Sequence, residues 1–334
     1  MSRLSMIVLL ALSMVVTTTT VAEEKKAFIQ PSEVGGVYVV QGEYVGETIP
    51  AKEGEKAEKL GAQLIALGGD KFRGVVFKGG LPGAGWKRGD EMFVASGTIQ
   101  DDLTGVFKIE GGDTVTGTFK DGKLIVRKDG KPIRKYTKVT RKSPTLGMKP
   151  PKNAIVLFDG TEKGAKNFKK GTLVLGNLLQ HDCESLVKFG DHKLHIEFRT
   201  PFMPYARGQG RGNSGMYIQG RYECQILDSF GLEGKNNECG GIYSIAEPIV
   251  NMALPPLTWQ TYDVDFTAAR YDGAGKKAKN ARVTIRHNGV VIHDDLELSN
   301  GTPGKYGEGP VKGPLYLQGH GNPVVFKNVW AIEK

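Results

Sequence analysis

Short apolar runs cut off by glycine constrain this chain more than any other feature. Between Val34 and Thr140 they follow one another as GVYVVQGEYVGE, GAQLIALGG, KFRGVVFKGG, MFVASGTI, LTGVFKIEG and TVTGTFKDGKLIVRKDG. Each is rich in β-branched and aromatic residues, and each stops at Gly or Asp-Gly. A short strand needs a turn at each end, and Asp-Gly supplies the left-handed backbone of a two-residue hairpin. With 46 glycines in 334 residues, the pattern predicts an all-β protein of many short strands. Only EGEKAEKLGAQLIAL (53–67) has helical composition, which Gly61 weakens. Asp101-Asp102 and Asp129-Gly130 read as turns.

A chain of this length holds two domains, each large enough to bury a core. The segment TRKSPTLGMKPPKN carries three prolines and four basic residues, the composition of an exposed linker, and places the boundary at 140–152. The first domain, 23–139, is a small all-β unit whose polar residues form no constellation tied to chemistry. Ahead of it, Arg3, the apolar run MIVLLALSMVV and the small residues TVA have the layout of a signal peptide over 1–22, cleaved near Ala22. That predicts a secreted or periplasmic protein. The apolar run falls short of the roughly 20 residues a spanning helix needs, and no later segment reaches that length, so no integral membrane contact is expected. The net charge of +9 is spread along the chain, as a solvated surface is. It points to no nucleic-acid partner and is compatible with association with anionic cell-envelope polymers. Cys183, Cys224 and Cys239 are too few for a disulfide framework, although an exported chain can form one bridge, and no CxxC pair suggests a thiolate zinc site.

Beyond the linker, longer strand-like runs without helices favour a two-sheet sandwich or jelly roll, with Asn288-Gly289 a hairpin turn between VTIRH and VVIHD. Period two puts His195, Glu197 and Arg199 on one face of HIEFR, and Arg221, Glu223 and Gln225 on one face of RYECQIL. Tyr217 and Gln219 precede that row. In LYLQGHGN, Tyr316, Gln318, His320 and Asn322 form a third. Such rows are either solvated faces with cross-strand ion pairs or a saccharide surface, since Gln, Arg, His, Tyr and Asn suit sugar hydroxyls. Elsewhere His181 and Asp182 read as an exposed turn, with approach to the site the alternative, His287 and His293 as surface groups, and Trp259 as core ahead of a sugar platform. Asp228 reads as a strand end that holds the next loop or a cation. YARGQGRGNSG (205–215) reads as a mobile rim. Its glycines lack the flanking strand and helix of a nucleotide motif, so no nucleotide cofactor is expected.

Seven blocks in order, AIVLFDGT, HIEFR, GNSGMYIQGRYECQILDSFG, ECGGIYSIAEP, WQTYDVDFTAARYD, NARVTIRHNGVVIHD and GPLYLQGHGNPVVFKNVWAIE, resemble the 3-keto-disaccharide hydrolase family, long called domain of unknown function 1080. The likeness runs over about 153–334. It implies a concanavalin A-like, glucanase-type jelly-roll sandwich, with a curved sheet holding an oligosaccharide or glycoside already oxidised at C3. A C3 ketone acidifies the hydrogen at C2, so a base can remove it and the enolate can expel the C1 substituent, by hydrolysis or as a lyase. The site then needs a base, an enolate stabiliser and an acid. On this resemblance His320 and Glu223 are the acid/base candidates, and Arg221 and Arg199 the donors to the keto oxygen or its enolate. Glu197, Arg199, Tyr217, Gln219, Gln225, Gln318 and Asn322 are the substrate-binding candidates. Some members are associated with a divalent metal ion, for which Glu223 and His320 are the candidate ligands. The competing expectation is a non-catalytic, lectin-like carbohydrate-binding protein on the same fold, and a third is a structural envelope protein.

Overall fold

The computed structural model describes residues 26–334; the signal-peptide segment lies outside the described residues. Eight antiparallel strands close into a barrel: Gly42–Thr48, Lys59–Ala66, Lys71–Lys78, Met92–Ile99, Thr104–Ile109, Thr114–Lys120, Lys123–Lys128 and Lys131–Val139. Its seam is the pairing of the first strand with the last, Glu43 opposite Val139. The turns are those the Asp-Gly pairs demand. Asp121, Gly122, Asp129 and Gly130 all have positive φ, between 48° and 75°, which matches the strands' right-handed twist.

The helical expectation over 53–67 is corrected, because Lys59–Ala66 is a barrel strand paired on both sides. Leu60, Ala62, Leu64 and Ala66 face the barrel interior, whereas Ile65 belongs to the core shared with the second domain. With both faces buried, the strand loses the alternation by which strands are recognised. Gly61 is required by contact, since a Cβ there would lie 2.5 Å from the Gly80 carbonyl carbon.

The second domain is a two-sheet sandwich, and the all-β expectation holds for the whole described chain. The larger sheet runs Leu173–Val174, Leu178–Gln180, Val325–Glu333, His192–Arg199, Gln260–Thr267, Ala281–His287 and Val290–Leu298, and Ile155–Phe158 also pairs with Val325–Glu333. The smaller sheet runs Phe168–Lys169, Cys183–Phe189, Gly313–Leu317, Ser214–Ile218 and Tyr222–Ile226. Leu194, Ile196 and Phe198 from one sheet meet Met216, Tyr222, Cys224, Ile226 and Leu317 from the other. Asn288-Gly289 makes its hairpin with φ of 51° and 81°. The same period two that buries Ala281, Val283 and Ile285 carries His287 inside with them. His287 is fully buried, hydrogen-bonded to Gln260, and its pKa is pushed down to about 3 by burial. His293 is buried on the Gly240 carbonyl. Neither is the surface group expected. All three cysteines are free and buried. Among the described residues no helix is long and apolar enough to cross a membrane.

Barrel and sandwich share one apolar core, because Ile65, Val75, Phe77 and Trp86 belong to the sandwich cluster. Arg88 donates to the carbonyls of Gly234 and Pro248. The 140–152 segment is not a free linker. Arg141 pairs with buried Glu43 through two bonds of 2.6 and 2.7 Å, Ser143 bonds Thr261, Thr145 bonds Asp263, and the Gly147 amide donates to Glu197. Hydrogen-bonding partners on the larger sheet's outer face hold it down despite its composition. The 205–215 rim is likewise pinned, with Arg207 and Arg211 donating to the barrel carbonyls of Leu67 and Ala66.

Candidate active site

The site is built on the face of the smaller sheet turned away from the core. Strand register sets one row across all five strands, Lys169, Glu184, Tyr316, Tyr217 and Glu223, each opposite the next. A second row follows one step along, with Gly215 opposite Gln225 and the Gln318 amide bonded to the Gly215 carbonyl. Tyr217, Glu223 and Gln225 are at most 3% exposed, so this is no solvated face. Loop 299–309 closes over it through Thr302, which accepts from the Glu223 amide, and Pro303, whose carbonyl lies 3.2 Å from the Tyr217 hydroxyl.

Glu223 is the electrostatic centre of this face. Burial pushes its carboxyl up to about 7, against a single opposing hydrogen bond from the Tyr217 hydroxyl, 2.8 Å from Oε2. Gln318 Nε2 donates to the same hydroxyl at 3.1 Å. Among the described residues no hydrogen bond reaches Oε1. A Cβ at Gly215 would lie 2.4 Å from that oxygen, so the glycine makes room for the carboxylate. Gln225 Oε1 and Gln318 Oε1, next to it in the rows, are buried acceptors without donors, as is Asn213 Oδ1, whose amide bonds the same Gln209 that Gln225 does. Buried acceptors are normally satisfied, and such orphans along one face suit a ligand rich in hydroxyls. The far end of the first row is cationic. Glu184 is buried, which opposes its charge, yet bonds from Lys305, Tyr306 and Lys169 hold its carboxyl below the usual range. The Lys305 ammonium lies 4.3 Å from the Tyr316 ring centre, and the Tyr316 hydroxyl donates to Asp182.

The structure thus brings together Glu223, Tyr217, Gln225 and Gln318. Asn322 joins them through its bond from the Asn213 amide, and His320 is exposed on the loop between Gln318 and Asn322. Four expected members lie elsewhere. Gln219 and Gly220 have φ of 55° and 66°, and this left-handed turn ends the alternation before Arg221 is reached. Gln219 donates to the Phe189 carbonyl, and Arg221 bonds Gln219 and the Gly309 carbonyl. Glu197 and Arg199 are on the other sheet's outer face. Glu197 is sealed under the 140–152 arm with His195, Asn328 and Lys327. Arg199 lies over the Trp259 ring and donates to the Ile29 carbonyl, so Trp259 is a half-buried surface platform and not core. Asp228 is occupied by Arg211. Sequence reasoning committed to none of Tyr316, Glu184 and Lys305. Tyr316 stood in a row already visible, while Glu184 needed CESLVKF to be recognised as a strand.

A divalent ion does not fit this donor set. Among the described residues no three His, Cys, Asp or Glu side chains converge as a metal site, and one oxygen of Glu223 is already taken by Tyr217.

Residues 153–332 match the family model described as the 3-keto-alpha-glucoside-1,2-lyase-like domain. This is more than half of the chain, so the protein belongs to that family and is, more broadly, a carbohydrate-active enzyme of glycoside-acting type. Two of the similar solved structures come from Parabacteroides distasonis ATCC 8503, each described as a proposed glycosyl hydrolase. One is 29% identical, covers 55% of this chain and 85% of its own, and has a TM-score of 0.49. The other is 19% identical, covers 55% and 94%, and has a TM-score of 0.40. No curated protein matches the chain.

Proposed function

We propose that this protein is exported and cleaves 3-keto-glycosides at the Glu223 face by removing the proton at C2 and expelling the C1 substituent. The carrying observation is Glu223 itself, a buried carboxyl whose pKa of about 7 lets it take and return a proton near neutrality. Oε1, the oxygen without a protein partner, removes the C2 hydrogen. The Tyr217 hydroxyl, fixed by Gln318, holds Oε2 and so fixes the direction of attack. The orphaned oxygens of Gln225, Gln318 and Asn213 accept bonds from sugar hydroxyls. The Lys305 ammonium, carried on the loop at the other end of the row, supplies the positive field for the enolate oxygen that Arg221 was expected to supply. His320, exposed at the rim, protonates the departing oxygen. Normal glycosidase chemistry needs two carboxylates flanking an oxocarbenium-like centre; elimination needs one base.

The test is incubation with a 3-keto disaccharide and with the same disaccharide unoxidised. Release from the oxidised sugar alone is expected. Binding without release would leave a lectin, and release from both would replace elimination with ordinary hydrolysis.

A further inference from the structure

The barrel encloses a second space of different chemistry. Its interior holds a cavity of about 70 Å³, walled by Leu64, Phe93, Phe107, Val115, Phe119 and Leu124. Eight-stranded barrels are either filled by side chains or keep room for one small ligand. Here the end near Val40 is plugged, since Val40, Tyr44 and Phe72 pack with Phe202 of the sandwich, and the Tyr44 hydroxyl is tied to the Val40 carbonyl.

The room is left by a residue that nothing else explains. Gly74 lines the cavity, its φ is not in the left-handed region, and a Cβ there would meet nothing nearer than Leu64 Cδ1 at 4.0 Å. Neither backbone conformation nor close approach requires a glycine at this position. Two polar groups line the same space. Tyr136 is 3% exposed, and the Arg134 guanidinium is the one polar group that acts on its hydroxyl. Arg134, two residues earlier on the strand and so on the same face, has no carboxylate partner among the described residues; its guanidinium lies over the Phe93 ring at 5.9 Å.

A dry apolar cup with a buried hydroxyl beside a guanidinium that lacks a carboxylate partner is complementary to a small anionic amphiphile. We infer that the barrel binds a short-chain carboxylate, its alkyl chain in the cavity and its carboxylate on Arg134 and Tyr136. An apolar cavity of about 150 Å³ takes up benzene, so about half that volume suits a chain of a few carbons and excludes a long-chain lipid. Guanidinium is the side chain whose planar fork fits a carboxylate.

Calorimetric titration of the whole protein with butyrate, hexanoate and octanoate, and with the matching 1-alkanols, tests the inference. Saturable one-to-one binding of at least one carboxylate is expected. Gly74→Leu fills the cavity and should abolish binding of acid and alcohol alike, with the circular dichroism spectrum kept. Arg134→Gln, partly exposed and safe for folding, should weaken the carboxylate about tenfold and leave the alcohol unchanged. The inference is overturned by absence of saturable binding across the series, by undiminished binding in folded Gly74→Leu, or by unchanged carboxylate affinity in Arg134→Gln. Should Gly74→Leu not fold, the Arg134→Gln arm decides alone.

Discussion

Glu223 and Glu197 sit on strands of the sandwich's two different sheets, both buried, and their environments drive them in opposite directions. Glu223 has one neutral donor, Tyr217, and desolvation dominates, so its carboxyl rises to about 7. Glu197 is also penalised by burial, but His195, Asn328, the Gly147 amide and Lys327 outweigh that and hold its carboxyl below the usual range. Its neighbour His195 is likewise buried, yet Asp263 at 2.6 Å and Glu197 keep its pKa raised. A carboxylate surrounded by donors is fixed in one protonation state and serves as a fastener. One left nearly alone titrates where a proton can be exchanged. The number of donors, not burial, separates a reactive carboxyl from a structural one.

The largest expected break in this comparison comes from Glu223→Gln. Turnover of the oxidised disaccharide should fall by about 10²- to 10⁴-fold, the range a general base supplies. In the wild type kcat/KM should rise with pH through about 7, as base catalysis requires. The same substitution should stabilise the fold. The folded carboxyl keeps a proton that the unfolded chain releases between about 4.5 and 7, so wild-type stability declines as pH rises across that window. Above it the loss is ~3 kcal/mol, which the neutral amide avoids. Melting curves at pH 8 should therefore favour Glu223→Gln, with the advantage gone near pH 4.5. Equal melting temperatures at both pH values would mean that Glu223 is not desolvated.

Glu197→Gln should act in the opposite sense. Replacing a carboxylate that accepts from Gly147 and Asn328 should cost ~1–3 kcal/mol at pH 7 and leave turnover per folded molecule unchanged. Because its folded pKa is lowered, the carboxylate stabilises above its ordinary range and that contribution is lost as pH falls through the folded value. His195, with a raised pKa, contributes below its ordinary value and loses the contribution as pH rises through the raised one. The difference between Glu197→Gln and wild type, read from denaturant unfolding, should thus narrow on acidification. A variant with normal stability and lost turnover would return Glu197 to the active site.

Why the sequence separated these two residues so poorly is itself physical. Period two states which residues share a face, and it placed Tyr217, Glu223 and Gln225 together as the structure does. It is silent on which sheet a strand joins and on what covers the face, so HIEFR and RYECQIL looked like parts of one surface when they belong to different sheets. The row also stops at Gln219-Gly220, where two left-handed residues turn the chain. Asp129-Gly130 and Asn288-Gly289 were legible because the turn's backbone demands those residues locally. Lys59–Ala66 and His287 were not, because their burial is imposed by partners far along the chain.

The smallest and sharpest test lies in the hydrogen bond that distinguishes Glu223 from an isolated carboxyl. The Tyr217 hydroxyl donates to the ionised form, and so lowers a pKa that burial raises. Tyr217→Phe removes that donor and leaves the ring contact with Tyr316, 5.5 Å between centres, in place. The carboxyl should then rise further, moving the acid limb of the kcat/KM profile to higher pH, with a loss of about tenfold at pH 7 that shrinks as pH is raised. A uniform loss at every pH would instead make the hydroxyl a contact to substrate. An unmoved profile would show that burial alone sets the titration of Glu223, and that the Gln318 to Tyr217 to Glu223 chain holds geometry without tuning charge.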